Sequence, residues 1–197
     1  MPKDRVERLL SGRAGPLERL SADTTSLAIL AAAEIFDFAT QGRGAVISGC
    51  CASRLLRGVA HAVRVRICSP MGARTQLTDP PERYDAAFNG ERLSVGECVD
   101  AVMGLVNCAA FLETAESRRR LEDFALAWRM RAALRTSSRT RGLHVAVSAE
   151  SGRVTLAGIV RDAEQRAAVS EVAAALAGLR ELHDQIRALD GLRPRFG

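Results

Sequence analysis

Two adjacent cysteines, Cys50 and Cys51, follow a glycine in the stretch Gly42–Leu56, GRGAVISGCCASRLL, and three histidines, His61, His144 and His183, are scattered along the chain. Thiolates and imidazoles are common zinc ligands, nucleophiles and bases. Adjacent cysteines cannot easily present both thiolates to one tetrahedral ion, and no C-x-x-C or paired histidine accompanies them, so no metal ligand is assigned. Two readings of the pair stay open: structural thiols packed in the fold, and a redox-sensitive thiol near a helix N-terminus, where the thiolate is favoured. No histidine has an acid or nucleophile at a telling spacing, so no catalytic residue and no cofactor are assigned. The remaining chemistry is cationic. Between Glu116 and Arg141 stand eight arginines, Arg118, Arg119, Arg120, Arg129, Arg131, Arg135, Arg139 and Arg141, against three acids. Guanidinium groups bind phosphates, so the segment could face nucleic acid or an anionic lipid surface. Without interleaved aromatics or a nucleic-acid motif, a solvated helix face is the simpler reading.

The elements that must position these groups follow from composition and pattern. The chain has 197 residues, enough for one medium or two small cores, and its 47% hydrophobic and 26% charged composition is that of a globular protein. With 4% aromatics, aliphatic and alanine packing must fill the cores. The net charge of +5 comes almost wholly from arginine, Lys3 being the sole lysine. No apolar run reaches the ~18 residues of a spanning helix and no signal-type segment opens the chain, so a cytoplasmic location is expected. Five cysteines, an odd number lying in strand and helix patterns, argue against a disulfide framework.

Residues 1–22 read as a frayed helical arm. From Ser26, Leu27, Leu30, Ala33, Ile35 or Phe36, and Ala39 recur at helical spacing behind Asp23 or Thr25 as cap. Gly44–Ser48 has the β-branched centre of a buried strand, and SRLLRGV after it reads as a short helix. In Ala62–Cys68, Val63, Val65 and Ile67 alternate with Arg64 and Arg66, one apolar and one charged face. Tyr84–Asn89 is a short third strand, and Ser94 caps a helix whose Val95, Val99, Val102, Val106 and Ala110 form a stripe. Composition shifts at Glu113: an arginine-rich amphipathic helix, a hairpin of Leu143–Ser148 and Arg153–Val160, a helix from Asp162 to Ala177 ended by Gly178, and a closing strand or helix at Glu181–Leu189.

Two resemblances rest on these residues. Val145-Ala146-Val147, then Gly152 through Val160, the alanine-rich helix and Ala177-Gly178-Leu179 make residues 121–189 similar to the BON domain, a small α-β-β-α-β module. That resemblance implies phospholipid, small-molecule or protein ligands. Residues 31–106 resemble the C-terminal half of the cytidylate kinase-like family of P-loop proteins. This likeness rests on Gly42-Arg43-Gly44 through Gly49, Leu55-Leu56, Val63 through Pro70, Arg74, Tyr84-Asp85 through Asn89, and Arg92-Leu93-Ser94. Phosphoryl transfer needs a phosphate-cradling loop, a cation and magnesium ligands. The chain holds no G-x-x-x-x-G-K-[ST]. The arginine-bearing lid that follows the Ser-Pro turn in that family is nearly gone, and a phosphate-binding arginine is replaced at Cys50. The resemblance therefore implies a degenerate kinase-like domain.

The expected architecture is a truncated P-loop-kinase-like α/β three-layer domain at 23–112 followed by a small α+β BON-like domain at 113–197. The expected function is non-enzymatic binding or regulation, as a homo-oligomer. Residual CMP or ATP binding completed by a partner chain is the first alternative, and arginine-driven nucleic-acid or anionic-lipid binding the second. Arg54, Arg57, Arg74, Arg118, Arg119 and Arg120 are the candidate phosphate or anion contacts.

Overall fold

The computed structural model describes residues 24–42, 44–49, 52–68, 80–176 and 178–189. Cys50, Cys51 and Arg74 lie outside them. In chain order come α1 (Thr24–Ala39), the short α2 (Ala52–Leu55) running into a 3₁₀ turn at Leu56–Gly58, β1 (Val65–Cys68), β2 (Ala86–Asn89), α3 (Val95–Val106) and α4 (Ala115–Thr136). The hairpin strands β3 (Val145–Glu150) and β4 (Arg153–Val160), helix α5 (Ala163–Ala174) and β5 (Glu181–Ala188) complete a mixed α/β chain with two small sheets. Contacts divide it into two units, Val46–Arg120 and the remainder, with the boundary inside α4.

That division differs from the composition boundary at Glu113, because α1 belongs with the C-terminal elements. Its fully buried Phe36 lies 5.6 Å from the Phe124 ring and 6.4 Å from Trp128, both on α4. Asp37 pairs with Arg129 at 2.9 Å, and Ser26 accepts from Arg135 Nε at 2.7 Å. In the same unit β4 is central, antiparallel to β3 and parallel to β5. Period-two alternation sends Val147, Val154, Leu156, Val160 and Ile186 inward, against Met130 and Leu134 of α4 and Val169 and Ala173 of α5. Asp162 caps α5 by accepting from Gln165 N–H at 2.8 Å. The helix ends at Ala174, short of Ala177, and the closing segment is a strand.

The hairpin turn Ser151-Gly152 carries positive φ at both positions, 52° and 78°. This is the two-residue turn whose twist matches the flanking strands. A Cβ on Gly152 would come within 2.9 Å of the Arg180 side chain, and Gly152 O accepts from Arg180 N–H at 3.0 Å.

In the unit Val46–Arg120, β1 and β2 pair in parallel, Val65 beside Ala86 and Ile67 beside Phe88. Gly44–Ser48 forms no strand. Val46 is 97% exposed, and a strand forms only where a neighbour satisfies its backbone groups. The two-faced pattern expected for β1 is not kept: Val63 and Val65 are half-buried, but so are Arg64 and Arg66, against Asp85 and Tyr84, and Ile67 is exposed. On α3 only Cys98 is buried, and the stripe of Val95, Val99 and Val106 stays exposed within its unit.

Candidate interaction surface

In the C-terminal unit, α4 and α5 cover one face of the sheet, and the residues that alternate away from that core form an open face. β3 contributes Ala146, Ser148 and Glu150, β4 contributes Arg153, Thr155, Ala157 and Ile159, and β5 contributes Glu181, His183, Gln185 and Arg187. Register places Arg153 beside Glu181, Thr155 beside His183, and Ile159 beside Arg187. The first pair closes an exposed ion pair at 2.6 Å, so it adds no net charge. Ile159 is 64% exposed, an apolar side chain beside the Arg187 guanidinium. His144, one residue before β3, is exposed and continues the outward alternation next to Ile159.

The free edges of this sheet are occupied by side chains. Arg131, on α4, lies 4.5 Å over the Trp128 ring and donates from Nη2 to the Val147 carbonyl of β3. Burial pushes its guanidinium below the ordinary arginine pKa. On β5, Asp184 accepts the Ile186 N–H at 2.8 Å and the Arg166 Nε at 3.0 Å. Charged groups set on edge strands in this way hinder strand addition.

The arginine-rich run is largely spent inside the molecule. Arg118 pairs with Glu113 at 3.6 Å, Arg129 with Asp37, Arg139 with Glu171, and Arg135 donates to the Arg141 carbonyl at 2.6 Å just beyond the α4 C-terminus. Cations there complement the helix dipole. Of the six candidate anion contacts, Arg54, Arg57, Arg119 and Arg120 are exposed and Arg118 is half-buried. These five belong to the unit Val46–Arg120, and the open sheet face belongs to the other unit.

The residues behind the kinase-like resemblance hold structural posts. Asp85, just before β2, accepts from Arg64 Nη2 at 2.7 Å, from its Nε at 3.1 Å and from its backbone N–H at 2.7 Å, tying together the starts of β1 and β2. Burial pushes the Asp85 pKa up, but the Arg64 hydrogen bonds and charge outweigh it and hold the carboxyl below its usual range. Asn89 accepts from Glu91 N–H at 3.1 Å, forming a turn. Ser94 and Glu97 form a capping box at the start of α3, the Ser94 N–H donating to Glu97 at 2.7 Å. The carboxylate of Glu97 thus already sits where a phosphate would meet the N-terminus of that helix.

His61 gains partners that spacing did not reveal. Its Nδ1 lies 2.9 Å from Ser117 Oγ, and its Nε2 is 4.0 Å from Glu113. The set has the residue types of a catalytic triad, but Ser117 is buried and its hydroxyl serves the first turn of α4, accepting from Thr114 N–H at 2.9 Å and donating to Thr114 O at 3.1 Å. The trio is a latch between the turn before β1 and the start of α4. Cys98 is buried, Cys108 exposed and Cys68 half-buried, all as free thiols. Among the described residues no group of three or more metal-ligating side chains converges, and no single helix is long and apolar enough to cross a membrane.

No curated protein matches the chain. The family match stops short of the residues that resemble the cytidylate kinase-like family. A BON domain is found at residues 122–190, which takes in most of α4 and all of β3, β4, α5 and β5 and marks this part of the chain as a binding or interaction module.

Proposed function

We propose that this chain is a non-enzymatic binding protein that docks on acidic phospholipid surfaces through the open sheet face of its BON domain. The observation that carries the reading is the uncovered face itself, with the exposed Ile159 beside Arg187. An apolar side chain beside a guanidinium suits a membrane interface, where it leaves water while the charge meets phosphates. The exposed Arg54, Arg57, Arg119 and Arg120, with Arg74, are auxiliary anion contacts in this reading. The kinase-like segment acts as a non-catalytic support, since Asp85, Asn89 and Ser94 are committed to strand, turn and helix cap.

Co-sedimentation of the full chain with vesicles tests this. Binding to phosphatidylglycerol-containing vesicles, weak binding to pure phosphatidylcholine, and loss of affinity on Arg187→Gln and Ile159→Ser are expected. Absence of binding to acidic vesicles sinks the proposal. A thermal-shift series with CMP, CDP and ATP plus magnesium checks the support role: no stabilisation is expected, and a clear upward shift would establish residual nucleotide binding instead.

A further inference from the structure

We propose that α3 is a self-complementary interface through which two copies of this chain pair, their α3 helices antiparallel about a two-fold axis. The inference concerns the unit Val46–Arg120 and is independent of the phospholipid reading.

Among the described residues of that unit the buried hydrophobic side chains are Ala52, Val59 and Cys98, none larger than valine, whereas eight of the eleven exposed large hydrophobic side chains lie there. A unit this small gains its stability by burying apolar surface, so the imbalance points to a partner. Four of the eight are on α3: Val95 is 81% exposed, Val99 53%, Met103 52% and Val106 42%. With the half-buried Val102, the valines stand at 95, 99, 102 and 106. Steps of four, three and four residues are those of a helix–helix seam.

The order of the steps indicates the occupant. The stripe Val95, Val99, Val102, Val106 has the same residue type and the same spacing read from either end. When two such helices lie antiparallel, Val95 meets Val106 of the second copy and Val99 meets its Val102. The exchange is reciprocal, which is the condition of a two-fold contact, and an unrelated partner would not require it.

Charge agrees with this pairing. α3 carries Glu97 and Asp100 and no basic residue, and its second half, Ala101–Val106, is uncharged. At about 100° per residue both acids fall off the valine stripe. Antiparallel pairing sets each acidic half against an uncharged half and opposes the two helix dipoles, whereas parallel pairing would bring like acids level with each other. An acidic helix without cations is also poorly suited to an anionic bilayer, whose surface attracts basic segments. The helix has 12 residues, about 18 Å of length. The contact is therefore at the small end of specific interfaces, and pairing is expected at micromolar and higher chain concentrations.

Sedimentation equilibrium of the full chain tests this. The average mass is expected to rise from one chain toward two as concentration increases from about 1 to 100 μM. Val95→Glu and Val106→Lys, each at an exposed position, should weaken pairing at least about tenfold, since each buries an unpaired charge against valine. The double variant should recover it, because the antiparallel register brings the introduced acid of one copy against the introduced base of the other. Circular dichroism and thermal midpoints that match the parent show that the variants fold. A parent that stays one chain throughout, single variants that pair as the parent does, or a double variant that pairs no more tightly than the singles overturns the proposal. A one-chain parent whose binding to phosphatidylglycerol vesicles falls on Val99→Ser would assign the stripe to a bilayer instead.

Discussion

Asp123 on α4 clamps the hairpin turn: its Oδ1 accepts the Gly152 N–H at 2.8 Å, and its Oδ2 takes the neighbouring Ser151 N–H, also at 2.8 Å. One carboxylate thus satisfies two turn amides and joins the tip of β3–β4 to the helix beneath. Replacing Asp123 with Ala is expected to destabilise the chain by about 1–3 kcal/mol, the cost of leaving polar groups without partners. Asp123→Asn should retain part of the loss, because an amide has one acceptor oxygen. Urea unfolding of the two variants measures the difference.

Gly158 should tolerate no side chain. A Cβ there would lie 2.8 Å from the backbone oxygen of His144, and a main-chain atom at the entry to the β3–β4 pair cannot swing aside as a flexible side chain would. Gly158→Ala is expected to cost about 1–3 kcal/mol, seen as a lowered thermal midpoint. An unchanged midpoint would mean that β3 and β4 pair differently.

The Arg64–Asp85 pair predicts an acid limb in the stability of the Val46–Arg120 unit. The Asp85 carboxyl titrates lower in the folded than in the unfolded chain. Its contribution is therefore complete above the ordinary carboxylate range near about pH 4 and is lost as pH falls through the lower folded value. Asp85→Asn should flatten part of that limb. Glu97, held low by its hydrogen bonds to Ser94 at the start of α3, contributes to the same limb. Chemical denaturation repeated from neutral to acidic pH separates these contributions.

Removal of the edge groups should let the BON sheet grow. In Asp184→Ala the outward Ile186 N–H loses its acceptor, and in Arg131→Ala the Val147 carbonyl loses its donor. Sedimentation velocity of the double variant is expected to show concentration-dependent species larger than those of the parent. An identical distribution would show that other features protect the edges.

Much of the C-terminal unit was legible because its signals are local. The alternation of Val145–Val160 and the cap at Asp162 each lie within a few residues and formed as read, as did the Ser94 cap in the other unit. What was not legible depends on partners distant in sequence. Gly44–Ser48 has the β-branched residues of a strand but pairs with no strand among the described residues, and side-chain propensity alone does not satisfy backbone groups. Phe36 assigns α1 to α4 through contacts about ninety residues along the chain, which composition does not record. His61 and Ser117, 56 residues apart, met in the same way. The open sheet face was implicit in the outward positions of each strand, but its register, and so the neighbours Ile159 and Arg187, came from pairing.

The stacking around Trp128 gives the molecule an optical reporter. It is the single tryptophan of the chain, and its indole neighbours both the Phe36 ring of α1 and the Arg131 guanidinium. Release of α1 would bring water to this indole while the three strands behind α4 kept their pairing. Red-shifted emission at a lower denaturant concentration than the loss of far-ultraviolet circular dichroism is the expected signature, and Phe36→Ala should advance the first transition more than the second. Fluorescence of one residue thus times the detachment of a helix that stands more than eighty residues ahead of the domain it covers.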